Sequence, residues 1–211
     1  NEESQGYKFA FAGGGSQTAI NALMDGTADV IFSLKELNNE DLALLKGKNI
    51  YPVIIPVVRV PFIVVAHYAL PLDSMDFKQL QRVFSGQFRY WWQLKRGRDT
   101  IKDPEMGPID LCTVDARNGG YHFIKKKLEI NAFPHDIRSF FHNAALIDYI
   151  SENRSSVGYV ALPFFSKSEN LKVLYNEPDL EATGYLIFNR PLEENPAIQK
   201  FVSELRSYLY K

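Results

Sequence analysis

Two glycine-rich turns, each running directly into a helical segment, constrain the fold of this chain more than any other feature. Their residues are Gly13, Gly14, Gly15 and Ser16 in the first turn, and Asn118, Gly119 and Gly120 in the second. A glycine turn ahead of a helix exposes backbone N–H groups where the helix dipole is positive, so each turn is a potential anion-binding site. Glycine at such a position is also a common helix cap or tight turn without any ligand. Two such turns, one in each half of the chain, predict a ligand held between two lobes.

Short apolar strands alternate with helical segments along the rest of the chain. Strands are predicted at 7–11, 28–32, 50–60, 62–67, 109–114, 157–160, 171–175 and 184–188. Helices are predicted at 17–24, 39–45, 76–84, 121–128, 142–152 and 195–208. Ser74 is the expected N-cap of the third helix, and the polar segment 95–108 is expected to be a loop. This alternation predicts an α/β fold in which helices cover both faces of the sheets.

Composition and charge argue against several functional classes. The chain has 211 residues, 45% of them hydrophobic, with a net charge of -1, so it resembles an ordinary globular protein without a basic excess for nucleic acids. The longest apolar stretch, 51–72, contains four prolines and an arginine, which argues against a membrane-spanning helix. Cys112 is interpreted as a buried small hydrophobe. Neither metal-ligand spacing among the histidines nor a catalytic motif is found, so no metal, cofactor or enzymatic activity is expected.

Phe84, Gly86 and Trp91 belong to a motif that points to a known family. Physically, the motif buries two large aromatic side chains on either side of a glycine that lets the chain turn sharply. The pattern Phe-x-Gly-x-apolar-x-x-Trp also resembles a signature of phosphate-type (PstS-like) solute-binding proteins of ABC transporters. Further segments resemble that family in the same order, at 12–20, 25–30, 114–123, 155–160 and 184–191.

The resemblance implies the two-lobed type II periplasmic-binding-protein fold. Lobe one is expected at 1–61 plus 158–211 and lobe two at 62–157, with two crossing strands as the hinge. Members of the family usually begin with one more strand, turn and helix, so lobe one is expected to lack its first strand-helix unit. The tripeptide Tyr90-Trp91-Trp92 is expected to serve core and lobe packing rather than to form a stacking platform.

The resemblance also implies a site for a small oxyanion such as phosphate. The family's acidic residue, which accepts a hydrogen bond from protonated phosphate, falls here on Leu34, and its arginine falls near Val114. Donors and charge are therefore expected from Ser33, Lys35 or Arg117 instead. The expected ligand residues are Gly13, Gly14, Gly15, Ser16, Ser33, Arg117, Asn118, Gly119 and Gly120.

The first functional hypothesis is a non-catalytic solute-binding protein that holds phosphate, or another small oxyanion, for an ABC permease. Such a protein is expected to be periplasmic or extracellular, with a lipid anchor before processing. The alternative is a sensor or adaptor module of the same fold, whose degenerate site meets a protein partner such as a membrane sensor; Leu34 and Val114 motivate it. An enzyme on the same scaffold would need an acid/base or metal constellation that the sequence does not contain.

Overall fold

The computed structural model describes residues 10–96, 99–100, 106–166 and 170–209. Residues 7–9 of the strand predicted at 7–11 lie outside these ranges, as do residues 97–98 and 101–105 of the loop predicted at 95–108. The described part of that loop differs from the prediction, because Lys95–Arg96 and Asp99–Thr100 form a short antiparallel pair. The helices are α1 (Ser16–Met24), α2 (Asn39–Gly47), α3 (Phe77–Phe84), α4 (Gly119–Lys127), α5 (Asn143–Glu152) and α6 (Pro196–Leu209). The strands are β1 (Val30–Ser33), β2 (Pro52–His67), β3 (Lys95–Arg96), β4 (Asp99–Thr100), β5 (Asp110–Val114), β6 (Arg138–Phe140), β7 (Ser156–Ala161), β8 (Leu171–Tyr175) and β9 (Glu181–Asn189). The predicted α/β class is confirmed.

The chain divides into two compact units. The first comprises Asn1–Val58 and Thr183–Lys211, and the second comprises Arg59–Ala182. Both β2 and β9 begin in one unit and end in the other. The boundary predicted at 157 differs from this division, because β7 and β8 pair with the second half of β2 and so belong to the second unit.

In the first unit, a three-stranded arrangement carries one apolar core. Strand β9 lies between β1 and β2, and its antiparallel pairing with β1 places Ile31 opposite Ile187. These two side chains pack with apolar residues of the neighbouring helices and of the segment before β2; the remaining buried members of this cluster are Ile20, Leu23, Leu45 and Ile50. Residues three or four apart on a helix share one face, which is why Ile20 and Leu23 are buried together. The packing holds the α1 N-terminus close to the end of β1.

In the second unit, β5 is the parallel partner of both β6 and β7. Strand β7 is antiparallel to the second half of β2, and β8 pairs with that same part of β2. All six residues of β7 are buried, as expected for a strand with neighbours on both sides. Because α4 follows β5 directly, the second glycine turn lies at the carboxyl end of a parallel strand.

Three further expectations about the elements are corrected. The strands predicted at 50–60 and 62–67 form the single strand β2, in which Pro61 stands just before the β7 ladder begins at Phe62 and removes no hydrogen bond from that ladder. The N-cap of α3 is Asp76 instead of Ser74, because Asp76 and Gln79 form a reciprocal capping box. Strand β6 was not predicted, since three residues are too few to show an alternating pattern.

The aromatic motif is a core element of the second unit. Phe84 and Trp91 are buried, and the indole N–H of Trp91 donates to the carbonyl oxygen of Ser155 at 3.1 Å. The packing role predicted for Tyr90-Trp91-Trp92 is confirmed for Trp91 and wrong for its neighbours. Tyr90 and Trp92 are 45% and 58% exposed, because the 3₁₀ turn at Trp91–Gln93 directs only its first residue into the core.

Replacing Gly86 by alanine is expected to lower the free energy of unfolding by about 1–3 kcal/mol. Gly86 has a φ of +75°, and a Cβ there would lie 2.7 Å from Cγ of Pro134. Urea denaturation of the variant tests this. The matched control is Gly47→Ala at the end of α2, where a Cβ meets no atom within 4 Å and the variant should be as stable as the parent or slightly more so. Equal stabilities of the two variants would contradict the expectation.

Candidate functional site

Within the part of the chain that the structure describes, the first glycine turn leads into a helix whose N-terminus has no side-chain cap. Gly15 is the N-cap of α1, with an extended backbone at φ -76° and ψ 166°. The first N–H groups of any α-helix lack partners within the helix, and the helix dipole gives them partial positive charge. The helices α2 to α5 each satisfy such groups with a capping side chain, namely Asn38, Asp76, Asn118 and His142. The α1 N-terminus therefore offers backbone donors that an anion can use.

The two leading glycines of this turn differ in their surroundings. A Cβ on Gly13 would meet no atom within 4 Å, so the position is open. A Cβ on Gly14 would lie 3.1 Å from Cγ2 of Thr18, which is in the first turn of α1. Gly14 thus allows the backbone to approach the helix closely, as a turn that presents N–H groups to a ligand requires.

Ser16 and Ser33 connect the α1 N-terminus with the loop after β1. The hydroxyl oxygen of Ser16 accepts a hydrogen bond from the backbone N–H of Leu34 at 3.0 Å. The Ser33 hydroxyl is fully buried; it donates to the carbonyl of Lys35 and accepts from the Lys35 N–H, at 2.8 and 3.0 Å. Ser16 is the better ligand candidate, because accepting from Leu34 leaves its hydroxyl proton to donate, whereas Ser33 uses both functions within its own turn.

Lys35 lies under the same loop as a buried cation. Its ammonium group donates to Oδ1 of Asp41 and to Oε1 of Gln17, both at 2.8 Å. Gln17 is in the first turn of α1 and Asp41 in the first turn of α2, where Asp41 also accepts from the N–H of Asn38. Lys35 therefore joins two helix N-termini, and its charge is compensated by Asp41. Sequence reasoning missed this role, although Asn38 and Asp41 have the spacing of a capping box.

In the second glycine turn, a side chain of the turn itself already bonds one of the backbone N–H groups. Oδ1 of Asn118 accepts from the N–H of Gly120 at 2.9 Å, so this N–H already has a partner. A Cβ on Gly120 would lie 2.9 Å from Cε1 of Phe62, and both Gly119 and Gly120 are buried. Close packing against Phe62 therefore accounts for a glycine at 120.

Arg117 is held by a neighbouring carboxylate that sequence reasoning did not consider. Its Nη2 and Nε donate to Oδ2 of Asp115 at 2.6 and 3.2 Å, and its backbone N–H donates to Oδ1 at 2.9 Å. These bonds hold the pKa of Asp115 below its usual range. The guanidinium carbon also lies 4.9 Å from the ring centroid of Phe141. The charge that Arg117 would offer an anion is thus partly compensated.

A separate polar cluster lies at the beginning of β5, at the opposite end of that strand from the glycine turn. Asp110 accepts from the Tyr149 hydroxyl at 2.6 Å, from the Ser156 hydroxyl at 3.0 Å and from Nε of Arg138 at 3.3 Å. Burial, followed by the charge of Asp110, raises the pKa of Cys112 to about 12. Cys112 is completely buried and remains a thiol, which confirms its interpretation as a small core residue.

The predicted site residues therefore form two sets, one in each unit. The first turn, Ser16 and Ser33 come together around the α1 N-terminus in the first unit. Arg117, Asn118, Gly119 and Gly120 come together at the start of α4 in the second unit. Among the described residues, no group of three histidine, cysteine or acidic side chains is placed to hold a metal ion. In the same part of the chain, no helix has the length and hydropathy needed to cross a bilayer.

Comparison with known proteins establishes the family. Residues 1–204 match the model of the PBP superfamily domain, and the chain belongs to this superfamily. A search of curated proteins yields no match.

Solved structures with a similar fold include a phosphate-binding protein, a phosphate transport receptor and an effector-binding domain. A phosphate-binding protein from Stenotrophomonas maltophilia has a TM-score of 0.73 at 13% identity, over 96% of this chain and 77% of that one. An ABC-type phosphate transport receptor from Vibrio cholerae has a TM-score of 0.67 at 17% identity, over 92% and 80%. The effector binding domain of QuiR in complex with shikimate has a TM-score of 0.61 at 17% identity, over 92% and 78%. The predicted type II periplasmic-binding-protein fold is thereby confirmed.

Proposed function

We propose that this protein is a non-catalytic solute-binding protein that binds a small oxyanion, with phosphate as the first candidate, for an ABC importer. The observation that carries the proposal is the uncapped N-terminus of α1, with the buried Ser16 hydroxyl beside it. The similarity to phosphate-binding proteins supports the ligand class and a periplasmic or extracellular location. We also propose that the protein is lipid-anchored before processing.

The physical basis is that oxyanions match helix N-termini in both charge and geometry. Backbone N–H groups point along the helix axis toward the ligand, and the dipole stabilises negative charge there. The proton of the Ser16 hydroxyl adds a side-chain donor. Lys35 does not contact the ligand in this proposal; it fixes Gln17 and thereby the first turn of α1.

The second glycine turn is the weaker part of the proposal. An oxyanion that binds Arg117 has to compete with Asp115, whose carboxylate already accepts three of its hydrogen bonds. An anion at the start of α4 also has to displace the Asn118 side chain from Gly120. For this reason the test concentrates on α1.

Replacing Gly15 by aspartate is expected to reduce phosphate affinity at least ten-fold while leaving the fold intact. The extended backbone of Gly15 suits any residue, and an aspartate at the N-cap stabilises a helix, so the melting temperature should be unchanged or higher. Its carboxylate would occupy the N–H groups that the oxyanion needs. Isothermal titration calorimetry with phosphate, and with sulfate for comparison, measures the loss.

Gly47→Asp is the matched control, since it adds the same charge at the exposed end of α2. It should bind phosphate like the parent protein. A Gly15→Asp protein with parental affinity would place the oxyanion away from α1. A parent protein that binds neither phosphate nor sulfate would overturn the oxyanion proposal altogether.

The second candidate function is a sensor or adaptor module that binds another ligand or a protein partner. The specific observation in its favour is the internally satisfied second turn, in which Asp115 and Asn118 take the place of a ligand. A fold shared with the effector binding domain of QuiR is compatible with it. Absence of oxyanion binding, together with co-purification with a membrane sensor protein, would favour this candidate.

A further inference from the structure

Tyr90 and Trp92 form an exposed aromatic pair on the second unit. Their ring centroids lie 6.0 Å apart and their planes are nearly parallel, at 20°. Both side chains are about half exposed, although the residue between them is the buried Trp91. Exposed clusters of large aromatic residues are uncommon on soluble surfaces and mark interaction sites when they are held in place.

The backbone that presents this pair is rigidly fixed. Oε1 of Gln93 accepts from the N–H groups of Arg89 and Tyr90, at 2.6 and 2.9 Å. The carbonyl of Arg89 accepts from the N–H of Ile109 at 2.8 Å. With Trp91 anchored in the core, the two exposed rings are presented with little loss of conformational entropy on binding.

The surrounding segment has a strong positive bias. Between Arg82 and Arg98 the sequence contains five lysine or arginine residues and no acidic residue, in a chain whose net charge is -1. The Arg82 guanidinium lies 5.3 Å from the ring centroid of Phe88. Arg89 pairs with Asp136 at 3.2 Å, but both side chains are more than 60% exposed, so this pair exchanges readily with another anion.

We propose that Tyr90 and Trp92, preceded in the chain by the exposed residues Arg82 and Arg89, form a surface that docks on an anionic phospholipid bilayer. Tyrosine and tryptophan rings favour the headgroup region, because one end of each ring system is apolar and the other is polar. Arginine side chains beside them are attracted to phosphate headgroups through charge complementarity, which screening by salt weakens. This surface is independent of the oxyanion proposed for α1, and either can fail without the other.

The test is co-sedimentation of the protein with vesicles of phosphatidylglycerol and phosphatidylcholine, and with vesicles of phosphatidylcholine alone. The parent protein should bind the anionic vesicles and be released at high salt, and it should not bind the neutral ones. The chain has two tryptophans and Trp91 is buried, so Trp92 reports contact directly. Its emission should shift to shorter wavelength on anionic vesicles, and its quenching by acrylamide should decrease.

Trp92→Ala and Arg89→Gln should each lower vesicle partitioning at least five-fold. Phe164→Ala is the matched control, since Phe164 is 63% exposed in the segment after β7 and its loss should not change partitioning. Circular dichroism confirms that the variants are folded. Parental binding by Trp92→Ala, or no binding of the parent protein to anionic vesicles, would overturn the proposal. Equal binding to heparin, without any change in Trp92 emission, would assign the surface to soluble polyanions and overturn the lipid assignment.

Discussion

Trp91→Ala is expected to lower the free energy of unfolding by about 3–5 kcal/mol, the range measured when a fully buried large aromatic residue is truncated. Trp91 is 1% exposed, and its indole N–H satisfies the carbonyl of Ser155, which precedes β7. The variant therefore leaves a large cavity, whereas the Ser155 carbonyl keeps the hydrogen bond that it accepts from the N–H of Asp110 at 3.0 Å. Urea denaturation followed by far-ultraviolet circular dichroism measures the change without relying on tryptophan emission.

Trp92→Ala serves as the matched control in the same experiment. The two tryptophans are adjacent in sequence, but Trp92 is 58% exposed, so its replacement should change stability by no more than about 0.5 kcal/mol. Because both variants replace a tryptophan by alanine, the difference between their stability losses measures the effect of burial rather than of residue type. Similar losses in the two variants would mean that the core of the second unit is not organised around Trp91.

Lys35→Met is expected to lower the free energy of unfolding by about 3–5 kcal/mol, as when one partner of a buried ion pair is removed. The Lys35 and Asp41 side chains are 10% and 7% exposed, and the ammonium group also holds Gln17. Methionine matches the volume of lysine but leaves the Asp41 carboxylate buried without its cation. Denaturation of Lys35→Met, Asp41→Asn and the double variant measures the coupling.

The double variant should be more stable than the sum of the two single losses implies, because it buries no unpaired charge. Lys46→Met, on the exposed face of α2, removes the same charge and should leave stability nearly unchanged. Additive losses in the double variant would show that Lys35 and Asp41 act separately. Because Lys35 positions the first turn of α1, Lys35→Met should also weaken phosphate binding if the oxyanion occupies that helix terminus.

Much of the fold is predictable from local sequence patterns. Apolar residues recurring at helical spacing place Ile20 and Leu23 on one face of α1, and both are buried. The Phe84–Gly86–Trp91 motif is visible in the sequence because a positive-φ glycine between two large aromatic residues is a local requirement. These signals depend on neighbours within a few positions, so they can be recognised in a single sequence.

The candidate site was predictable only as a set of positions. Glycine turns ahead of helices identify α1 and α4 as places with free or nearly free N–H groups. Whether those groups are free depends on the side chains that reach them. Asn118 closes one turn and Asp115 holds Arg117, and sequence alone could not distinguish these residues from ordinary loop polar groups.

The amino-acid sequence by itself determined the α/β class, the order of most elements and the membership of the chain in a binding-protein superfamily, because hydrophobic periodicity and turn residues act locally. Tertiary structure alone decided which polar groups are already satisfied and which aromatic side chains stay exposed. Lys35 meets Gln17 across eighteen positions, and Trp91 meets Ser155 across sixty-four. These hydrogen bonds, and the burial of the side chains that make them, require segments far apart in the chain to come within a few ångströms of each other. No local sequence pattern specifies such contacts.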